Sequence, residues 1–110
     1  MTILFFYDGN GLRKISIPSI VFIEVRDHDL YYHLDDNNTY CNKRTPLSSL
    51  EEKIKNKGFS KCNNCYLINL KFVKMIKKDS ILVGNEELPL SRGKKRDFEK
   101  DFISFAGEYL

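Results

Sequence analysis

No stretch of the 110 residues approaches the roughly 20 consecutive apolar side chains that a membrane-spanning helix requires; the run Ile20-Val21-Phe22-Ile23 stops at Glu24. The N-terminal residues show no basic segment followed by a cleavable apolar one, so no secretory signal is expected. Three cysteines is an odd and low number, which suits a reduced cytoplasmic protein better than a disulfide-stapled scaffold. Also missing are a nucleophile–base pair, a carboxylate dyad and a phosphate-cradling glycine loop with a downstream lysine. The chain is therefore expected to be neither an enzyme nor a cofactor carrier. Internal repeats, low-complexity segments and linker composition are absent as well, so residues 1–110 are expected to form one domain, and the 42% hydrophobic content can supply its core.

One absence is local. From Lys53 to Lys78 there are eight lysines and no Asp or Glu, and a second basic cluster follows at Arg92, Lys94, Lys95 and Arg96. Residues 1–50 are slightly acidic, so the net charge of +3 is unevenly spread. One-sided charge of this kind is the footprint of a polyanion partner, or of a lysine-rich solvated face.

The apolar pattern is that of a mainly β chain. Short runs at 2–7 and 12–17 flank Asp8-Gly9-Asn10-Gly11, whose Gly and Asn tolerate the positive φ of a tight hairpin turn. Further strands are expected at 20–25, 30–34, 39–43, 72–76 and 80–83, with a last edge strand at Leu88-Pro89-Leu90 because Pro89 has no N–H to donate. The rhythm changes twice. Leu47, Leu50 and Ile54 share one helical face; Thr45 with Pro46 and Ser48 with Glu51 offer N-terminal caps, and Gly58 offers a stop. From Ser91 a C-terminal helix is expected, carrying Phe98, Phe102 and Phe105 on its core-facing stripe and stopping at Gly107.

The chain is organised around residues 59–70, where Lys61-Cys62-Asn63-Asn64-Cys65 interrupts Phe59 and Tyr66-Leu67-Ile68-Asn69-Leu70. This reads as a rigid turn with a polar tip held by packed residues on both sides. A fixed tip loses little entropy when it meets a partner. Asn63 in such a turn either bonds its own backbone or faces a partner, whereas Asn69, inside an apolar run, reads as a buried amide that satisfies backbone groups. His33, in an alternating strand, reads as structural. The Cys62-x-x-Cys65 spacing suggests a zinc site, a thioredoxin-like centre or a regulatory disulfide. The first needs two more ligands and the second a βαβ context, so no metal is expected, and Cys62 otherwise packs under the loop.

With the elements in order, the sequence resembles a LytTR DNA-binding domain from Ile3 to about Phe102. Four pieces carry the resemblance. Ile23-Glu24 precedes the polar loop Asp27-His28-Asp29-Leu30. Arg44-Thr45-Pro46-Leu47-Ser48-Ser49-Leu50-Glu51-Glu52 is similar to the family's R-x-x-L-x-x-L-E-E entry to a short helix. Phe59 to Asn69 is similar to F-x-R-x-H-R-S-Y-L-V-N, and Leu88-Pro89-Leu90-Ser91-Arg92 to L-P-x-S-R followed by basic residues. Asn63-Asn64-Cys65 stands where the family usually has His-Arg-Ser or His-Lys-Ser; an Asn in the middle position also occurs there.

The resemblance implies an elongated stack of antiparallel sheets with about ten short strands, one short internal helix and a C-terminal helix. It also implies sequence-specific recognition of double-stranded DNA by projecting loops, as the output domain of a bacterial response regulator. The base readers would be His28, Asn64 and Arg92: Asn matches adenine N6 and N7, Arg matches guanine O6 and N7, and His donates. Lys61, Asn63, Lys94, Lys95 and Arg96 would hold the backbone. Paired direct-repeat promoter sites, a second copy on the same DNA and a receiver domain outside these residues are further implications, and no membrane is involved. The bland alternatives are a solvated turn for His28, a surface side chain for Arg92 and plain helix surface for Lys53, Lys55 and Lys57. Two other functions stay open: a β module binding RNA or single strands through Tyr31, Tyr32 and Tyr66, and a protein-interaction module.

Overall fold

A computed structural model describes residues 2–108. Among them ten strands form three antiparallel sheets, stacked into a body 46 × 27 × 25 Å. The first sheet is the hairpin β1 (Ile3–Tyr7) and β2 (Leu12–Ser16), closed by the Asp8 N–H donating to Gly11 O at 3.1 Å. Gly9 supplies the positive φ (+94°) that the turn needs.

The central sheet has five strands: β3 (Ile20–Arg26), β4 (Asp29–Leu34), β5 (Thr39–Asn42), β6 (Phe59–Asn63) and β7 (Tyr66–Asn69), in the order β5-β4-β3-β7-β6. The third sheet is β8 (Val73–Ile76), β9 (Ser80–Val83) and β10 (Glu86–Pro89), with β10 on its edge, as Pro89 requires.

The central sheet separates two cores. On one face Ile20, Ile23, Leu30, Tyr32 and Leu67 pack against Leu4, Phe6 and Ile15 of the hairpin and against Leu47, Leu50 and Ile54. Tyr32 and Phe6 stack with ring centroids 4.9 Å apart. On the other face Phe22, Cys62 and Ile68 meet Val73, Ile81, Val83, Leu88 and Phe98. Strict alternation would send Ile20 and Ile23 to opposite faces. A register shift between Ile20 and Phe22 adds the residue that lets both face the first core.

Both helices sit where the apolar spacing puts them, but their ends differ from the sequence-based expectation. α1 (Leu47–Lys53) is shorter: Pro46 occupies the cap position and no side chain caps the helix. The Thr45 hydroxyl is engaged elsewhere, donating to Asn42 Oδ1 at 2.9 Å, and the Ser48–Glu51 box does not form. Gly58 lies beyond a further turn at Asn56 and serves the entry to β6 instead. α2 (Arg92–Ala106) buries Phe98 completely and Phe102 in part, whereas Phe105 is half exposed and lies over Gly58. A Cβ at Gly58 would stand 2.7 Å from the Phe105 ring, and its φ of +85° disfavours any side chain.

Asn69 is the buried polar exception that the apolar run around it suggested. Its Nδ2 donates to Ile20 O at 2.8 Å and its Oδ1 accepts from the Lys71 N–H at 3.3 Å, so one amide joins β7 to the start of β3. Asn69→Ala should cost about 1–3 kcal/mol in urea unfolding, because it leaves a buried carbonyl unpaired. Asn69→Asp, which has no N–H to offer Ile20, should not rescue the loss.

Candidate nucleic-acid interface

The strand order brings three segments, far apart in sequence, to one end of the molecule. β3 pairs with both β4 and β7, so the β3–β4 turn and the β6–β7 turn emerge side by side. Asp27 and His28 are the central residues of the first turn, and both have positive φ (52° and 70°), as the primed hairpin turns require. His28 stands exposed at its tip. Asn64 and Cys65 are the central, exposed residues of the second turn. The Val25 N–H donates to Cys65 O at 2.8 Å and ties the two turns together. In the strand order the turns are two strand spacings apart, about 9–10 Å. That is close to three base-pair rises of about 3.4 Å.

The third segment is the start of α2. The Ser91 N–H donates to Cys62 O at 2.9 Å, which sets Arg92, exposed in the first turn of the helix, beside the end of β6. Asn63 completes the joint: its Oδ1 accepts from the Cys65 N–H and its Nδ2 donates to Pro89 O, each at 2.7 Å. The Asn63 amide thus bonds its own turn and the neighbouring strand end, and it is Asn64 that projects. Asn64 and Arg92 are both open to solvent, two residues and one residue from the Ser91–Cys62 bond.

The expected phosphate-holding cations are distributed differently. Lys61 points to the α1 side of the sheet, where its ammonium pairs with Glu51 at 3.2 Å. Lys94 and Lys95 are half-buried and Arg96 exposed, all in the first turns of α2. Lys95 Nζ donates to Lys78 O at 3.0 Å, so it braces the β8–β9 turn against the helix. Lys77 pairs with Glu87 at 3.4 Å.

Other cations, to which the sequence reading gave no part in binding, flank His28. Arg26 lies with its guanidinium 4.0 Å from the Tyr31 ring centroid and 3.7 Å from Glu24. Lys43 and Arg44 follow β5, whose end is set beside the His28 turn by the Leu30–Asn42 pairing, and both are exposed. The signal that could have found them was topological: once β3, β4 and β5 form a meander, residues 26 and 43–44 share an end. The carboxylates of the β3–β4 turn and its strand ends are Glu24, Asp27 and Asp29. Asp29 accepts from the Arg44 N–H at 2.9 Å, and Glu24 bonds His33 Nε2 at 3.0 Å.

Of the tyrosines considered for stacking on single strands, one is buried and two are partly covered. Tyr32 is 2% exposed in the first core, Tyr66 leans edge-on against Phe22, and Tyr31 is covered by Arg26. His33 lies flat on Phe22 and bonds Glu24, so it is structural. Cys62 is fully buried and Cys65 exposed, both as free thiols. Burial pushes the Cys62 thiol up to about 12, where it is protonated and inert at neutral pH. Among the described residues no helix is long and apolar enough to cross a membrane, and no group of three or more His, Cys, Asp or Glu is placed to hold a metal.

The family model of the LytTr DNA-binding domain matches residues 10–102 of this chain. Among solved structures the chain is similar to a LytTr DNA-binding domain ascribed to a methyl-accepting/DNA response regulator from Bacillus cereus. The two are 18% identical, with a TM-score of 0.76 over 92% of this chain and 96% of that one. At that identity the likeness speaks for the fold. No curated protein matches the chain.

Two predictions follow from the joint at residues 62–65. Asn63→Ala should lower stability by about 1–2 kcal/mol in urea unfolding, since it removes two hydrogen bonds and leaves Pro89 O only the weaker contact from Cys62 Sγ. Iodoacetamide at pH 8 should label Cys65 in the folded chain and reach Cys62 only after unfolding, as read by peptide mass. Labelling of Cys62 at the rate of Cys65 in the folded protein would contradict the burial seen here.

Proposed function

Because the chain belongs to the LytTR DNA-binding domain family, we propose that it binds double-stranded DNA sequence-specifically, as the output domain of a bacterial transcription regulator of the response-regulator type. His28, Asn64 and Arg92 are the proposed base readers, entering the grooves from three turns held by the central sheet. The observation that carries this reading is their convergence. The segments that carry them, 36 and 28 positions apart, are linked by backbone hydrogen bonds from Val25 to Cys65 and from Ser91 to Cys62, which supports their acting on one partner. Rigid presentation matters because a flexible loop would lose conformational entropy on entering a groove.

In this reading Asn64 addresses an adenine edge and Arg92 a guanine edge, each worth about 1–3 kcal/mol of discrimination. Lys94, Lys95 and Arg96 supply phosphate contacts that set register without reading sequence. Lys61, paired with Glu51, contributes less than its place in the sequence suggested. Asn63 acts as a strut. The target would be paired direct repeats at a promoter, occupied by two copies side by side in the cytoplasm, with any receiver domain lying outside residues 1–110. The module recognises and does not catalyse.

Selection from random duplexes would yield the cognate site, and binding by fluorescence anisotropy would then test the readers. Asn64→Ala and Arg92→Ala should each weaken the cognate site about 5–150-fold, the equivalent of 1–3 kcal/mol, and random DNA far less. Equal loss on both duplexes would refute base reading by these residues. With about five phosphates neutralised, log K should fall against log salt with a slope of roughly −4 to −5.

A further inference from the structure

The reading end is flanked by basic residues on both sides, and only one flank, the start of α2, is covered by the function proposed above. The other flank is the β5–α1 corner. Lys43 and Arg44 are exposed there and make no ion pair among the described residues. The corner is fixed. The Arg44 N–H donates to Asp29 Oδ1 at 2.9 Å with the backbone at φ +52°, and Thr45 Oγ1 bonds both Asn42 Oδ1 (2.9 Å) and Lys43 O (3.2 Å). Nearby carboxylates are already engaged: Asp29 by that backbone bond, and Glu24 by His33 and Arg26. Asp27, exposed in the His28 turn, and Asp29, whose charge a backbone N–H does not cancel, are the negative charges on this flank, against the two cations Lys43 and Arg44.

We infer that Lys43 and Arg44 form a phosphate grip on the outer side of the His28 turn, backed by Arg26, so that the row of readers is clamped at both ends. The inference rests on the proposed duplex-binding function. β5 lies one and a half strand spacings outside the centre of the β3–β4 turn, about 7 Å by the usual spacing. That is about two base-pair rises beyond whatever base pair His28 meets. A side chain displaced by that distance, on a rigid corner and with unpaired positive charge, is placed for the sugar–phosphate backbone rather than for a base edge. Arg26 lies over Tyr31, which stiffens it, and within 3.7 Å of Glu24, so it backs the pair chiefly by position.

The test compares wild type, the double variant Lys43→Gln with Arg44→Gln, and the control Lys55→Gln. Each is titrated with the selected duplex and with random duplex at several salt concentrations. The double variant should lose affinity for both duplexes by the same factor. That factor is about 30-fold near 0.15 M salt, since each lost contact removes a term in salt concentration to the power of about −0.9. Its log–log slope should shrink by about 1.8, and Lys55→Gln should leave the slope unchanged. Arg44→Lys, which keeps the charge, should retain the wild-type slope, and ethylation interference on the phosphates should fade at the His28 end only.

An unchanged slope in the double variant overturns the grip, as does a loss confined to the selected duplex. If Asn64→Ala abolishes discrimination while the double variant keeps its slope, the grip falls and base reading stands. If wild type binds no duplex at all, both fall together. A urea midpoint within error of wild type keeps a folding defect from mimicking the expected result.

Discussion

The exposed end of this molecule depends on one amide. Asn63 accepts from the backbone of Cys65 with its oxygen and donates to the backbone of Pro89 with its nitrogen, both at 2.7 Å. The first bond shapes the turn that carries Asn64, and the second fastens that turn to the strand that runs into Arg92. Without it the β6–β7 turn and the start of α2 would be held together by the Ser91–Cys62 backbone bond and the weaker contact from Cys62 Sγ to Pro89 O at 3.4 Å. An amide is suited to this position because it donates and accepts in one plane, whereas a carboxylate or a hydroxyl would serve one neighbour at the expense of geometry at the other.

Behind the joint, the central sheet works as a ruler. β3 pairs on both sides, its residues fill both cores, and the turns at its C-terminal end take their separation from the strand spacing. Burial on both faces keeps the ruler in register, since slipping β3 by one residue would exchange Ile23 for Phe22 and Glu24 at the first core. The bulges at Ile20/Phe22 and Lys61/Asn63 lie in the same sheet, and the second lies directly before the turn it re-aims. Stability and presentation therefore come from the same residues, which is why Asn69, far from the exposed end, belongs to the same account.

Much of this was legible in the sequence because it is local. Each expected strand has its counterpart within a few residues, the edge position of β10 follows from the missing N–H of Pro89, and the apolar spacing of Leu47, Leu50 and Ile54 or of Phe98 and Phe102 gives the helices. What was not legible depends on partners distant in sequence. Thr45 is a good cap by type, yet its hydroxyl is taken by Asn42, which only the end of β5 brings near. Phe105 has the spacing of a core residue, but α2 has run past the core by then and the ring rests on Gly58. Lys61 sits in the basic run by sequence, whereas strand alternation turns it toward Glu51. Arg26 and Lys43 went unnoticed because nothing in their own neighbourhood marks them, and Arg44 entered only as the start of a helix-entry motif; the β3–β4–β5 meander puts them together.

The turn sequence Asn63-Asn64-Cys65 acquires a physical meaning from this. At the first position, where the resembled family usually carries His, this chain has a side chain whose two polar atoms both bond the protein's own backbone. At the third, a hydroxyl that could accept or donate is replaced by an exposed thiol, a weak hydrogen-bond partner. Side-chain hydrogen bonding outward from this turn is thereby concentrated on Asn64. A reader set with one amide at its centre relies on the planar match of that amide to a single base edge. In the proposed reading its strength comes from charge on either side, from the α2 start on one flank and from the β5–α1 corner on the other. On that proposal specificity and affinity are separable: the first would reside in a few rigidly held tips, the second in cations that are indifferent to sequence and sensitive to salt.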